Sequence, residues 1–200
     1  IHSHTARQEH LRRFVLAARG RRGTSPSRIE DDNEWWALGQ HHGLATPLLD
    51  WTESPFVALY FAFVDLNAGG SKHRTVYALH QPDVEERSTA IAKHHKRAGK
   101  RSRSPITEII RPMSDENSRL VSQRGIFTRG PDGVTIDDWV RRNFPKKKAG
   151  AVLIRFRLPN KQRDNCLRFL NRMNINHLSL FPDLYGASRH CNEELRIDGY

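Results

Sequence analysis

The chain has 200 residues, enough for one domain or two small ones, and 37% of them are apolar. Lys and Arg number 33 against 22 Asp and Glu, and the resulting charge of +11 points to polyanionic partners: nucleic acid, an anionic membrane or a phosphate-bearing cofactor. Two cysteines, Cys166 and Cys191, are too few for a disulfide framework or a four-thiolate zinc site and favour a reducing, cytoplasmic setting; no run approaches the ~18 apolar residues of a membrane span.

Residues 5–18 are predicted as a helix, because Leu11, Phe14, Val15 and Ala18 recur at helical spacing. Thr5 with Gln8 has the capping-box pattern, and Gly20 stops the helix. The Gly/Ser/Pro/Arg stretch 19–28 is expected to be a flexible basic loop. A short helix is predicted over 34–40, capped by Asp32 or Asn33, presenting Trp35, Trp36 and Leu38 and broken by Gly43. Ser54 followed by Pro55 marks the next helix start. Residues 55–64 are apolar on nearly every face, which predicts a central, buried helix.

Gly69-Gly70 reads as a turn and 75–79 as a strand. Residues 85–104 are rich in Lys, Arg and His, and read as an exposed helix end running into a second flexible basic loop, 93–105. Residues 106–110 read as a strand ended by Pro112, and 119–128 as a turn and a short strand. Thr135 and Asp138 form a capping-box pattern that opens a short helix, and 146–148 are a surface run of lysines. The stretch 151–158 alternates: Val152, Ile154, Phe156 and Leu158 face one way, Leu153, Arg155 and Arg157 the other. Asn160 reads as the cap of a helix that turns Leu167, Leu170 and Met173 inward, and "LSLFPDLYGAS" as a loop or short helix. No internal repeat and no regular βαβ alternation appear. The expected class is therefore α+β, a mixed sheet with the central helix 55–64 and flanking helices.

Several chemistries find no support. There is no HExxH, C-x-x-C or EF-hand pattern, and no GxSxG, Walker A or GxGxxG. Adjacent histidines such as His41-His42 and His94-His95 diverge by about 100° on a helix, so no metal site is predicted. Basic clusters spread along the chain and include Arg101, Arg103, Lys147 and Arg155. On one shared face they would form a salt-sensitive nucleic-acid track; spread over several faces they would be a solvated coat.

One segment stands apart. Residues 39–63 read GQHHGLATPLLDWTESPFVALYFAF, with titratable groups set directly against the most apolar run. This resembles the FRG domain family, whose core reads roughly A-Q-H-Y-G-L-P-T-R-L-L-D-W-T-x-S-P-x-x-A-L-Y-F-A. Two weaker islands follow in family order. R-x-x-x-Q-x-G-x-F-T matches Arg119, Gln123, Gly125, Phe127 and Thr128, and L-F-P-D-L-x-G matches 180–184 and Gly186. Ala45 and Pro47 replace the Pro and Arg of P-T-R, and His42 replaces the usual Tyr. The family's naming Phe/Tyr-Arg-Gly motif is not found before Thr5, and Ala18-Arg19-Gly20 lies after the first helix. The motif is expected upstream of Ile1 or is absent from this member. Residues 1–200 are expected to form a single FRG-like domain.

The resemblance implies an ADP-ribosyltransferase-like enzyme with NAD as substrate, and the charge favours nucleic acid, a DNA base included, as acceptor. When nicotinamide leaves, the ribose becomes oxocarbenium-like and seeks a carboxylate or amide oxygen, while aromatics stack and cations hold pyrophosphate. On that reading His41, Asp50 and Gln123 are catalytic. Arg119, Thr46, Trp51, Tyr60 and Phe127 bind NAD. Each has a structural alternative: His41 caps carbonyls, Asp50 caps a helix or pairs with a cation, Arg119 pairs with a carboxylate, and Gln123 holds a turn. Two other function classes remain beside the enzyme: a non-catalytic nucleic-acid-binding or sensing module of a phage-defence or toxin system, and a metal-dependent nuclease.

Overall fold

The computed structural model describes residues 4–66, 71–99, 104–113 and 118–200, leaving aside the side chains of 4 and 147–149. In chain order its elements are α1 (His4–Ala18), α2 (Asp32–His41), β1 (Leu48–Thr52), α3 (Pro55–Val64), β2 (His73–Leu79), α4 (Gln81–Arg97), β3 (Glu108–Ile110), α5 (Ser118–Ser122), β4 (Gly125–Arg129), α6 (Ile136–Asn143), α7 (Lys146–Val152), β5 (Leu153–Pro159), a 3-10 turn (Asn160–Gln162), α8 (Arg163–Arg172), α9 (His177–Leu180) and α10 (Leu184–Arg196). Strands β1, β4 and β3 form one sheet in that order, and β2 pairs antiparallel with β5. The mixture is the α+β class expected from the sequence.

The chain forms two compact units: Ile1–Asp50, His80–Asn117 and Ile126–Val152, and Trp51–Leu79, Ser118–Gly125 and Leu153–Tyr200. In the first, the buried apolar side chains include Leu11, Trp36, Leu38, Val84, Phe127, Trp139 and Val152. Two of the polar groups inside it illustrate how they are paired. Trp139 Nε1 donates to the Pro105 carbonyl at 2.9 Å, and the Ser88 hydroxyl donates to the Thr107 carbonyl at 2.8 Å. Asp31 caps α2 by accepting from the Asn33 N–H, one residue ahead of the expected cap. Thr135 caps α6 as its sequence predicts, accepting from the Asp138 N–H. The stretch 19–28 has neither helix nor strand. Arg22 ties it down, donating to the Ser27 carbonyl and lying 4.9 Å over the Trp35 ring. The second basic stretch, expected as a loop from 93, begins as helix: α4 runs to Arg97 and buries His95. Arg101, Arg103 and the Gly69-Gly70 turn lie outside the described residues, as does the Lys147 side chain.

The second unit is organised on α3. Ser54 and Pro55 open the helix as expected, and Val57, Tyr60 and Phe63 turn one face inward. They pack with Leu167 and Leu170 of α8, Leu180 of α9 and Ile197. Full burial of each such side chain stabilises by about 1.5–3 kcal/mol. The helix is buried on this face, whereas Phe56 and Phe61 remain 50% and 38% exposed. Met173, expected to point inward, is the C-cap of α8 and half-exposed, because the helical stripe ends one turn earlier at Leu170. The largest departure is at the C-terminus. "LSLFPDLYGAS", expected as a loop or short helix, holds the end of the short helix α9, a Pro182-Asp183 corner and, beyond that expectation, the start of the 13-residue α10.

Candidate functional site

In the first unit, the His-His-Gly segment is the end of α2 and the bend that follows it. His42, Gly43 and Leu44 close the helix with N–H bonds back to the carbonyls of Gly39, Gln40 and Gly39 respectively. Gly43 has φ +83°, the left-handed conformation that such a cap requires. Gly39 lets the bend fold back, since a Cβ there would lie 2.6 Å from the Leu44 side chain. The bend is then fixed by one carboxamide. Gln40 Oε1 accepts from the Thr46 hydroxyl, and its amide donates to Asp50. The Thr46 Oγ1 also accepts from the Leu48 N–H at 3.2 Å, so its hydrogen-bonding capacity is committed to shaping the bend. His10 on α1 adds a contact from Nε2 to the Ala45 carbonyl at 3.1 Å.

Two titratable groups are presented by this bend. His41, in the last turn of α2, is half-buried and edge-on to the His42 ring at 4.8 Å. Asp50 as a residue is exposed, yet its carboxyl loses enough water to raise its pKa above the ordinary value. The Gln40 hydrogen bond and the backbone partly offset that rise. A partly desolvated carboxyl with an upward-shifted pKa suits proton acceptance better than an ordinary surface aspartate. Trp51, its chain neighbour, is half-buried.

In the second unit, the second and third sequence islands meet. Arg119 forks onto the Asp183 carboxylate, with Nε at 3.0 Å, and its guanidinium lies 5.3 Å from the Phe181 ring centroid and 5.6 Å from that of Tyr185. Asp183 also accepts from the Gly186 N–H at 2.9 Å as the cap of α10. These two bonds hold its pKa below the ordinary carboxylate value, the Arg119 bond being the larger cause. Gln123 donates to the Leu180 carbonyl at 3.1 Å, while its own carbonyl accepts from Thr52 at 2.7 Å. Gly186 makes this packing possible: a Cβ would stand 1.9 Å from the Phe181 carbonyl oxygen. Arg119 and Gln123 therefore brace the α9–α10 corner.

Of the aromatic residues named from the sequence, Phe127 is buried in β4, and Tyr60 is fully buried with its hydroxyl 2.5 Å from His177 Nδ1. Burial raises the pKa of the Tyr60 hydroxyl and lowers that of His177 to about 4, so the imidazole stays neutral. Arg155 is exposed on β5. Thus the structure gathers His41, Thr46 and Asp50 on one bend, and Arg119 and Gln123 on one corner. Sequence reading missed Gln40, Asp183 and His177. The first two lie inside the quoted islands, and D-L-x-G ahead of a helix is a cap pattern.

Among the described residues, no group of three or more His, Cys, Asp or Glu is placed to hold a metal ion, and no helix is long and apolar enough to cross a membrane. No curated protein and no solved structure matches the chain. A family model does match, and the bend built on Gln40 lies wholly within the matched segment: residues 1–70 are similar to the FRG domain.

Proposed function

We propose that the bend 40–50 is the reacting part of an ADP-ribosyltransferase that takes NAD as donor and nucleic acid as acceptor. The observation that carries this reading is Asp50: exposed, shifted upward in pKa, and oriented by a carboxamide inside the FRG match. In the reaction, nicotinamide leaves the ribose C1 with the bonding electron pair. A lone pair of the acceptor forms the new bond to that carbon, and the proton released by the acceptor passes to Asp50. His41 hydrogen-bonds the ribose. Gln40 and Thr46 position the bend. Arg119 and Gln123, in the second unit, brace the α9–α10 corner. The net charge of +11 supports a polyanionic acceptor. Two free thiols, Cys166 and Cys191, support a cytoplasmic setting.

The test is incubation with NAD and, separately, single-stranded DNA, duplex DNA, RNA and protein, with mass spectrometry of each acceptor. The expected result is an ADP-ribose mass gain on nucleic acid with release of nicotinamide, lost in Asp50→Asn and His41→Ala. Intact NAD with every acceptor would end the proposal.

A further inference from the structure

The β2–β5 ribbon has a face with no use in the chemistry above. The antiparallel register sets Tyr77 opposite Arg155 and Thr75 opposite Arg157, with His73 opposite Pro159 at the end of the ladder. Because successive residues of a strand alternate, these side chains share one face. The other face carries Val76, Phe156 and Leu158, and Leu158 packs against the core of its unit. Tyr77 is 48% exposed, and Thr75, Arg155 and Arg157 are exposed as well. Among the described residues, Arg157 has a polar contact with the His73 ring at 3.4 Å, and no carboxylate pairs with Arg155 or Arg157. Exposed arginines elsewhere in the chain do take carboxylate partners, as Arg12 and Arg13 do with Glu9.

We infer that this face is a docking platform for single-stranded DNA, with Tyr77 stacking on a base and Arg155 and Arg157 meeting successive phosphates. The two arginines stand two residues apart on one strand, about 6.7 Å at strand rise, a separation close to that of neighbouring phosphates on an extended strand. An exposed aromatic ring beside cations is the arrangement by which sheet surfaces hold unpaired bases without reading their sequence. A duplex hides its base faces and offers nothing for Tyr77 to stack on. The platform carries no carboxylate or carboxamide to read a ribose hydroxyl, so it does not require RNA. Its action needs no NAD, and its failure would leave the ADP-ribosylation reading standing.

The experiment is fluorescence anisotropy of a labelled thymidine 20-mer with the chain, without NAD, across a salt series. Wild-type protein is expected to bind the single strand more tightly than a duplex of equal length. Arg155→Ala with Arg157→Ala is expected to weaken binding at least tenfold and to reduce the slope of log K against log salt by about 1.4, the value for two single-strand phosphate contacts. Tyr77→Ala is expected to lose about 5- to 150-fold, the range of one base–aromatic stack, while Tyr77→Phe, which keeps the ring, stays within about threefold. The pair Arg141→Ala with Arg142→Ala on α6 makes the same charge change elsewhere and is expected to keep near-normal binding. Equal losses in the two double variants would reduce the effect to a diffuse positive coat and overturn the assignment. So would an unchanged Tyr77→Ala, preference for duplex, binding of a uridine 20-mer with none of the DNA strand, or no binding at all.

Discussion

Lowering the pH from 7 to 5 should destabilise the second unit through one buried imidazole. His177 is 3% exposed, and its Nδ1 lies 2.5 Å from the Tyr60 hydroxyl. Burial first, then the charge of Arg189, lowers its pKa from 6.5 to about 4, with Glu193 opposing. The folded pKa therefore lies below the unfolded one. As pH falls, the unfolded chain takes the proton first, so stability is full above pH 6.5 and drains away between 6.5 and 4. Worked from these two values, the loss between pH 7 and 5 has a ceiling of about 1.8 kcal/mol; partial rehydration of the charged ring brings the expectation nearer 1 kcal/mol. Urea unfolding followed by far-UV circular dichroism at pH 7, 6 and 5 measures it. Every other group is common to wild type and His177→Gln, so the comparison of the two isolates the buried ring. The variant starts less stable but should show a flatter pH dependence. Equal slopes in wild type and variant would refute the reasoning, whatever their absolute stabilities.

Gly186→Ala should destabilise by about 3 kcal/mol, the upper end of overpacking costs, because its Cβ would meet the Phe181 and His177 carbonyl oxygens at 1.9 and 2.7 Å; wild-type stability in urea would contradict the packing. Tyr60→Phe removes the hydroxyl that faces His177 Nδ1 and should cost about 1–3 kcal/mol in the same assay, the penalty of an unsatisfied buried acceptor. Gln40→Ala should raise the Asp50 pKa further, since the Gln40 bond now lowers it; a carboxyl carbon NMR titration reads the change, and a fall would contradict the bend. Asp183→Ala should speed hydrogen exchange in the first turn of α10, where the Gly186 N–H loses its cap, and unchanged exchange there would remove that role.

Where the sequence carried a local chemical reason, the element could be read. Ser54-Pro55 and Thr135 open helices because a hydroxyl satisfies an N–H that the helix cannot. The alternation of 151–158 predicted β5, though its first two residues complete α7. What alternation does not encode is how much of either face gets covered, and Phe156 is left 48% exposed. The helix α10 escaped because Pro182 and Gly186 look like breakers. In place, Pro182 precedes the cap, and Gly186 is needed for close approach to α9. At the candidate site, the islands located His41, Asp50, Arg119 and Gln123, but not what holds them. The partners of Arg119 and Gln123 lie 64 and 57 residues further on, and long-range pairs leave no periodic trace in one sequence. Their bonds follow the structural alternatives weighed for them, a carboxylate pair and a held corner.

The central claim is that Asp50 takes the acceptor's proton as ADP-ribose is transferred. The most direct measurement is nicotinamide release from NAD in the presence of single-stranded DNA, by wild type and by Asp50→Asn, with intact folding verified for both. The account predicts steady release and a matching ADP-ribose adduct with wild type, and a loss of at least about a hundredfold with Asp50→Asn, in the range general-base catalysis supplies. Equal release by the two proteins would contradict it.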